Sequence, residues 1–320
     1  TSGANHGLLH SGARYVFSDP ESALGCWEEA DLLRRLAPHC IEETGGLFVA
    51  VQGDDEKYVA DFPHLCSSRG IPVRDLDYQE ALEKEPTLSD KLIAAYEVKD
   101  ATIDPFILSL ENISQAQQLG TILLCQTKVV GFKKSNGQIQ AVQLLDMKTG
   151  EEFTVEAEQV VSASGPWAGE IAALANASID ILYSKGSLMV TDTRVTKRVV
   201  NRLRPPGDGD ILVPGGSVSI LGTTSIRIDS LEAIGPTIEE MDLMVDEGAA
   251  MLPILENARY IRAFAGVRAL VSAECDDDDR CIGRGFALLD HARDGIENFI
   301  TISGGKLTTY RLMAERAADL

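Results

Sequence analysis

Residues 299–320, FITISGGKLTTYRLMAERAADL, constrain the fold more than any other stretch. Phe299 to Ser303 is an apolar run of strand length, Gly304-Gly305 is a turn, and from Lys306 onward the apolar residues recur at helical spacing. A strand that feeds a helix through two glycines is a βα unit. Its unalternating apolar run predicts burial on both faces of the sheet. The stretch QVVSASGPWA at 159–168 repeats the pattern: a buried strand ends in small residues and opens a helix. Two such units imply a layered core of mixed strands and helices.

The remaining chain supplies other elements. Residues 17–37 read as a helix started by Asp19-Pro20, and GGLFVAVQ (45–52) as a short buried strand. A helix ending at Gly70 and a strand IPVRDL follow. The next helix has Asp104 as N-cap, Pro105 at its first position and Gly120 just past its end. Alternating runs on either side of Asn136-Gly137, from TILLC through QLLD, predict a hairpin, and the following EEFTVEAEQVVSAS completes a meander. From Ile179 a second block alternates strands, with Gly215-Gly216 as a hairpin turn and the helix TIEEMDLMVDEGAAMLPIL between them. The expected fold class is α/β plus α+β.

Charge narrows the partners. Asp plus Glu number 49 against 29 Lys plus Arg, a formal net charge of −20. Such a field repels nucleic acid and anionic lipid, so a phosphate-backbone binder is excluded. An anionic substrate is repelled too and needs a local cluster of cations. The six cysteines form no C-x-x-C pair and read as reduced thiols of a cytosolic protein. CDDDDRC (275–281) brings no histidine and no second ligand cluster, and reads as a solvated acidic loop rather than a metal site. No apolar run reaches the roughly 18 residues that span a bilayer.

Three features carry chemistry. Lys306 in the first turn of the last helix opposes the helix dipole unless an anion sits there. The small residues Ala163, Ser164 and Gly165 at the end of QVVS let a ligand approach the backbone, or simply let strand and helix pack closely. Arg14 in the opening segment, Arg268 in FAGVRALV and Arg284 in IGRGFALL stand near glycines in apolar settings. A single arginine of this kind is usually met by a carboxylate. Three of them suggest a convergent site for phosphate or carboxylate oxygens.

NHGLLHSGARY, KGSLMVTD, DILVPGG, LGTTS, AGVRAL and ISGGKLTTYRLMAE, in this order from Thr1 to Leu320, resemble the FAD-dependent glycerol-3-phosphate dehydrogenases. These belong to the larger group of flavoenzymes similar to glycine oxidase and D-amino-acid oxidase. The opening segment is most similar to the A-type subunit of the anaerobic enzymes. The resemblance implies a Rossmann-like FAD-binding domain built from 1–42, 100–178 and 268–320, interleaved with an antiparallel-sheet substrate cap from 43–99 and 179–267. In the family the opening segment follows a βαβ unit carrying G-x-G-x-x-G. No such motif after a strand occurs in these 320 residues, nor does a cysteine-bearing iron–sulfur module, so the chain reads as a fragment incomplete at its N-terminus.

The implied reaction is hydride transfer from C2 of sn-glycerol 3-phosphate to FAD, giving dihydroxyacetone phosphate. The electrons then pass to a quinone through electron-transfer subunits. By the same resemblance Arg14, Arg268, Arg284 and Lys306 hold the substrate, and Tyr15 lines its pocket. His10 is the candidate base, with Arg268 beside it in the catalytic set, while His6 reads as structural. Gly7, Gly304, Gly305, Lys306, Leu307 and Thr308 are expected along the flavin ring, Val129 at the adenine end, and Ala163 to Gly165 at the ribose and pyrophosphate. A cytoplasmic location is implied, with peripheral attachment to the inner face of the cell membrane left open. An oxygen-using oxidase and a non-catalytic fragment stand as alternatives.

Overall fold

The computed structural model describes residues 2–232, 234–271 and 285–320. Arg284, Cys275, Cys281 and the acidic run between the two cysteines lie outside the described residues.

Among the described residues the strands form four sheets. The largest has nine strands. Its path runs through Ile226–Ile228, Ile181–Thr191, Val218–Gly222, Ile211–Gly215, Val199–Arg202, Gly46–Val51, Leu92–Val98 and Arg74–Leu76. The ninth strand, Tyr260–Val271, pairs with Ile181–Thr191 along its whole length. All pairings are antiparallel except one, where Val199–Arg202 runs parallel to Gly46–Val51. That pairing joins chain segments about 150 residues apart in one sheet. Leu47, Val49, Leu212, Leu221, Met244 and Met251 fill the core between one face of this sheet and the helix Ile238–Met251. On the other face Phe48, Phe62 and Tyr96 pack with Ala13 and Val16 of the opening segment.

A second sheet contains both βα units. Val160–Ser162 lies parallel to Phe299–Gly304, and Phe286–Asp290 adds an antiparallel strand. Phe299, Ile300 and Ile302 are buried, as the apolar run requires, but Val161 is 49% exposed. The expectation of two covered faces therefore holds for the last strand and not for this one. A third sheet is the meander Thr127–Ser135, Gln138–Asp146 and Glu152–Glu156. Its first turn has Asn136 and Gly137 at φ of 52° and 76°, the left-handed pair that a tight hairpin needs. A small sheet ties the opening segment (Leu8–Leu9) to Ala101–Ile103 and Ile41–Glu42.

Helix boundaries follow their caps. Asp19 accepts the Ser22 N–H ahead of Pro20–Leu36, and Asp104 accepts the N–H groups of Phe106 and Ile107 ahead of Pro105–Gln118. The hairpin differs from expectation at its start. TILL at 121–124 is not a strand, and Ile122 is 83% exposed, because no neighbouring strand is present among the described residues to pair with it. No helix among the described residues is long and apolar enough to cross a membrane.

Candidate active site

Four pieces of chain meet at one place: the opening segment, the strand Tyr260–Val271, the loop 223–225 and the turn after Phe299–Gly304. The opening segment is held by its glycines. Gly7 has φ of +70° and donates to Asn5 Oδ1 at 2.7 Å, and a Cβ there would lie 2.6 Å from the Ile103 carbonyl. The segment also lies on Gly266 of the long strand, where a Cβ would sit 2.6 Å from the Ala4 oxygen. Gly12, at φ of +91°, turns the chain into the short helix Ala13–Tyr15 that presents Arg14 and Tyr15.

His10, Tyr15, Lys306 and Thr308 form one group. The Tyr15 hydroxyl lies 3.2 Å from His10 Nε2, and the backbone N–H of His10 donates to Thr308 Oγ1 at 3.3 Å. Lys306 Nζ stands 4.3 Å from the Tyr15 ring centroid, a cation–π contact. His10 and Thr308 are buried.

Arg268 approaches from the long strand, paired opposite Ser184. Its Nη2 donates to Thr223 Oγ1 at 2.6 Å and its Nη1 to the Thr224 carbonyl at 3.2 Å. The guanidinium lies across Gly186, where a Cβ would come within 2.6 Å of Nη2. Any other residue at 186 displaces this arginine.

His6, read from sequence as structural, stands at the same place. Its ring is 6.4 Å from that of His10, and its buried Nδ1 has no hydrogen-bond partner among the described residues. Burial, with Arg268 and Arg14 nearby, pushes its pKa from 6.5 down to about 4, so it is neutral at pH 7.

Arg14 is held within the protein by a carboxylate. It is paired with buried Asp210, Nη2 to Oδ2 at 2.8 Å, and its Nη1 donates to the Arg202 carbonyl. Asp210 also binds Arg204 at 2.8 Å. Arg14 therefore stands in a carboxylate network at the edge of the site, where it still repels a proton from His6. Charge repetition in RLRPPGDGD was the available sequence signal for this network, and it gave no spacing that marks a pair.

Gly304 and Gly305, at φ of +81° and +77°, are required by packing: a Cβ on Gly304 would lie 2.9 Å from the Gly285 carbonyl, and one on Gly305 would strike the Met313 thioether. Leu307 opens the short helix Leu307–Thr309. The turn Gly165–Trp167 packs against both Tyr260–Val271 and Phe299–Gly304, which brings Ser164 and Ala163 close to this end of the sheet. Gly165 has φ of +58° and open space around its Cα, so the left-handed turn rather than close packing explains it. The Ser162 and Ser164 hydroxyls bond at 2.8 Å. Val129 lies apart from this group, opposite Leu144 in the meander.

The residues fit the ring end of a flavin. His6 Nδ1 and Ser303 Oγ are buried polar atoms without hydrogen-bond partners among the described residues, and both lie on segments that reach the site. A G-x-G-x-x-G turn for the pyrophosphate is not among the 320 residues.

Comparison with known proteins agrees. The chain is 44% identical over 320 residues to the A-type subunit of the anaerobic glycerol-3-phosphate dehydrogenase of Escherichia coli (strain K12); the match takes in 99% of this chain and 59% of that protein. Glycine oxidase from Geobacillus kaustophilus superposes with a TM-score of 0.80 at 20% identity, over 100% of this chain and 84% of that one. L-α-glycerophosphate oxidase from Mycoplasma pneumoniae, with FAD bound, superposes at 0.76 and 19% identity, over 99% and 84%. The chain thus spans about three-fifths of the length of its curated relative. The family described as FAD dependent oxidoreductase matches all of residues 1–320, and the chain belongs to it, with FAD as the cofactor.

Proposed function

We propose that the protein oxidises sn-glycerol 3-phosphate to dihydroxyacetone phosphate and passes the electrons through partner subunits to a quinone. The observation that carries this reading is the meeting of Arg268, Lys306 and the His10–Tyr15 pair at the end of the strand Phe299–Gly304. The 44% identity to a glycerol-3-phosphate dehydrogenase chain supports glycerol 3-phosphate among the anions that such a cluster fits.

Oxidation of a secondary alcohol removes a hydride from carbon and a proton from oxygen. Bound FAD supplies the hydride acceptor. The chain supplies the rest. Arg268 and Lys306 provide positive charge for the phosphate dianion inside a molecule of net charge −20. His10 Nε2, hydrogen-bonded to Tyr15, is the candidate acceptor for the C2 hydroxyl proton. His6, neutral beside them, offers a hydrogen-bonding atom without adding charge. His6, Ser303, the turn Gly304–Thr308, Gly7 and Ala163 to Gly165 would hold the flavin. Arg284 and Val129 retain their expected roles as substrate and adenine contacts. The nine-stranded sheet lies in the proposed substrate cap of 43–99 and 179–267, with its strand Tyr260–Val271 crossing into the proposed FAD-binding domain of 1–42, 100–178 and 268–320. A cytoplasmic enzyme docked at the inner membrane face suits a quinone-linked path.

Anaerobic addition of glycerol 3-phosphate to the yellow holoenzyme tests the reading: the oxidised flavin band bleaches. An unchanged band refutes it. Oxygen uptake without an added acceptor would instead identify an oxidase.

A further inference from the structure

Beneath Arg268 lies a buried charged group that none of the roles above uses. Glu240, in the first turn of the helix Ile238–Met251, and Lys185, on the strand Ile181–Thr191, are both buried. Glu240 Oε2 accepts from Lys185 Nζ at 2.8 Å and from the Thr237 N–H at 2.8 Å. Its other oxygen, Oε1, accepts from Ser187 Oγ and Thr224 Oγ1, both at 2.9 Å. Burial pushes the Glu240 carboxyl up, but the bonds from Lys185, Thr237, Ser187 and Thr224 outweigh it and hold the group below its ordinary value.

Capping the helix uses Oε2 alone. Among the described residues Oε1 accepts from Ser187 and Thr224, and Thr224 in turn carries a carbonyl that meets the Arg268 guanidinium. The strand alternation explains the geometry: Lys185 and Ser187 face Glu240, while Gly186 between them faces Arg268. Thr224 connects the two faces. Its hydroxyl accepts the Ser187 N–H at 3.0 Å, which leaves its own proton for Glu240. Its carbonyl accepts from Arg268 Nη1, and its neighbour Thr223 accepts from Nη2. Two acceptors of the guanidinium thus sit next to each other on the loop 223–225, which one buried carboxylate ties down.

We propose that Glu240, acting through Thr224, is a positioning residue that fixes the plane of the Arg268 guanidinium for the substrate's phosphate. The proposal rests on the glycerol 3-phosphate reading. It involves no covalent step and no contact between Glu240 and substrate.

Thr224→Val in the holoenzyme removes the hydroxyl at nearly constant volume. The expected result is a KM for glycerol 3-phosphate raised about tenfold with kcat held within about twofold, since misdirected binding groups weaken binding before they alter the hydride step. Thr224→Ser keeps the hydroxyl and restores the wild-type KM, which a loss of packing alone does not predict. Adding Thr224→Val to Arg268→Ala raises KM no further, because the group being positioned is gone. Glu240→Gln, which sets an NH₂ among donors, is the second variant should Thr224→Val fail to fold, and is expected to raise KM in the same way. A wild-type KM in a folded Thr224→Val or Glu240→Gln protein, or full additivity with Arg268→Ala, overturns the proposal. If Arg268→Ala itself leaves kcat/KM unchanged, the substrate reading falls, and the proposal with it.

Discussion

Arg268→Ala is the most direct test of the anion site. Its guanidinium is held by the protein, with Nη2 2.6 Å from Thr223 Oγ1 and Nη1 3.2 Å from the Thr224 carbonyl. A fork fixed in this way gives a phosphate a charge-assisted contact worth about 2–3 kcal/mol. At about 1.4 kcal/mol per decade, that is a loss of roughly 30- to 150-fold in kcat/KM. The net charge of −20 makes the local cation matter more, since the general field opposes the dianion. Arg268→Lys recovers only part of the loss, because one ammonium cannot keep both threonine contacts and still present two donors. The assay is steady-state kinetics of the holoenzyme with glycerol 3-phosphate at fixed ionic strength, the Debye length being about 8 Å near physiological salt. A second readout is independent of turnover. Arg268 is one of the causes that depress His6, so its removal raises the His6 pKa above about 4, visible by NMR titration, while burial keeps it below 6.5. A kcat/KM for Arg268→Ala within about threefold of wild type refutes the anion-site assignment.

Three other outcomes are expected. Glycerol is turned over with a kcat/KM lower by about 1,000-fold or more, since without the phosphate the site's cations lose their partner on closing; comparable rates would point to a different substrate. Gly304→Ala destabilises by about 1–2 kcal/mol from its left-handed φ alone, with the contact at the Gly285 carbonyl adding to it, and an unchanged denaturant midpoint would contradict this. His6 has a folded pKa of about 4 against an ordinary 6.5, so the unfolded chain binds its proton first; its contribution to stability is full above pH 6.5 and is lost as the pH falls toward 4. His6→Gln flattens that part of the acid unfolding curve, and an unaltered slope would rule out the buried neutral imidazole.

The parts of this molecule that were legible in its sequence are those decided by neighbours along the chain. Asp104, Pro105 and Gly120 set a helix because the cap, the fixed φ and the left-handed stop all act within one turn. Asn136-Gly137 set a hairpin for the same reason. The ordered motifs identified the family, and the matching of all 320 residues bears this out. Pairings across the sheet were not legible. Nothing near Val199 announces that its strand joins Gly46–Val51 in parallel. Arg14 and Arg268 looked alike as arginines near glycines. The fold gives Arg14 a buried aspartate from 196 residues away and gives Arg268 two threonine oxygens. The electrostatic setting of His6 was not legible either, since it comes in part from Arg268 on a distant strand. The motif LGTTS was noticed as a family signature, yet its chemical meaning appears only when Glu240 is seen beneath it. Local grammar placed the site's backbone. Much of the site's electrostatics joins residues distant in sequence, such as Lys185 with Glu240 and His6 with Arg268, so the function of each charge follows from the sheet that gathers them.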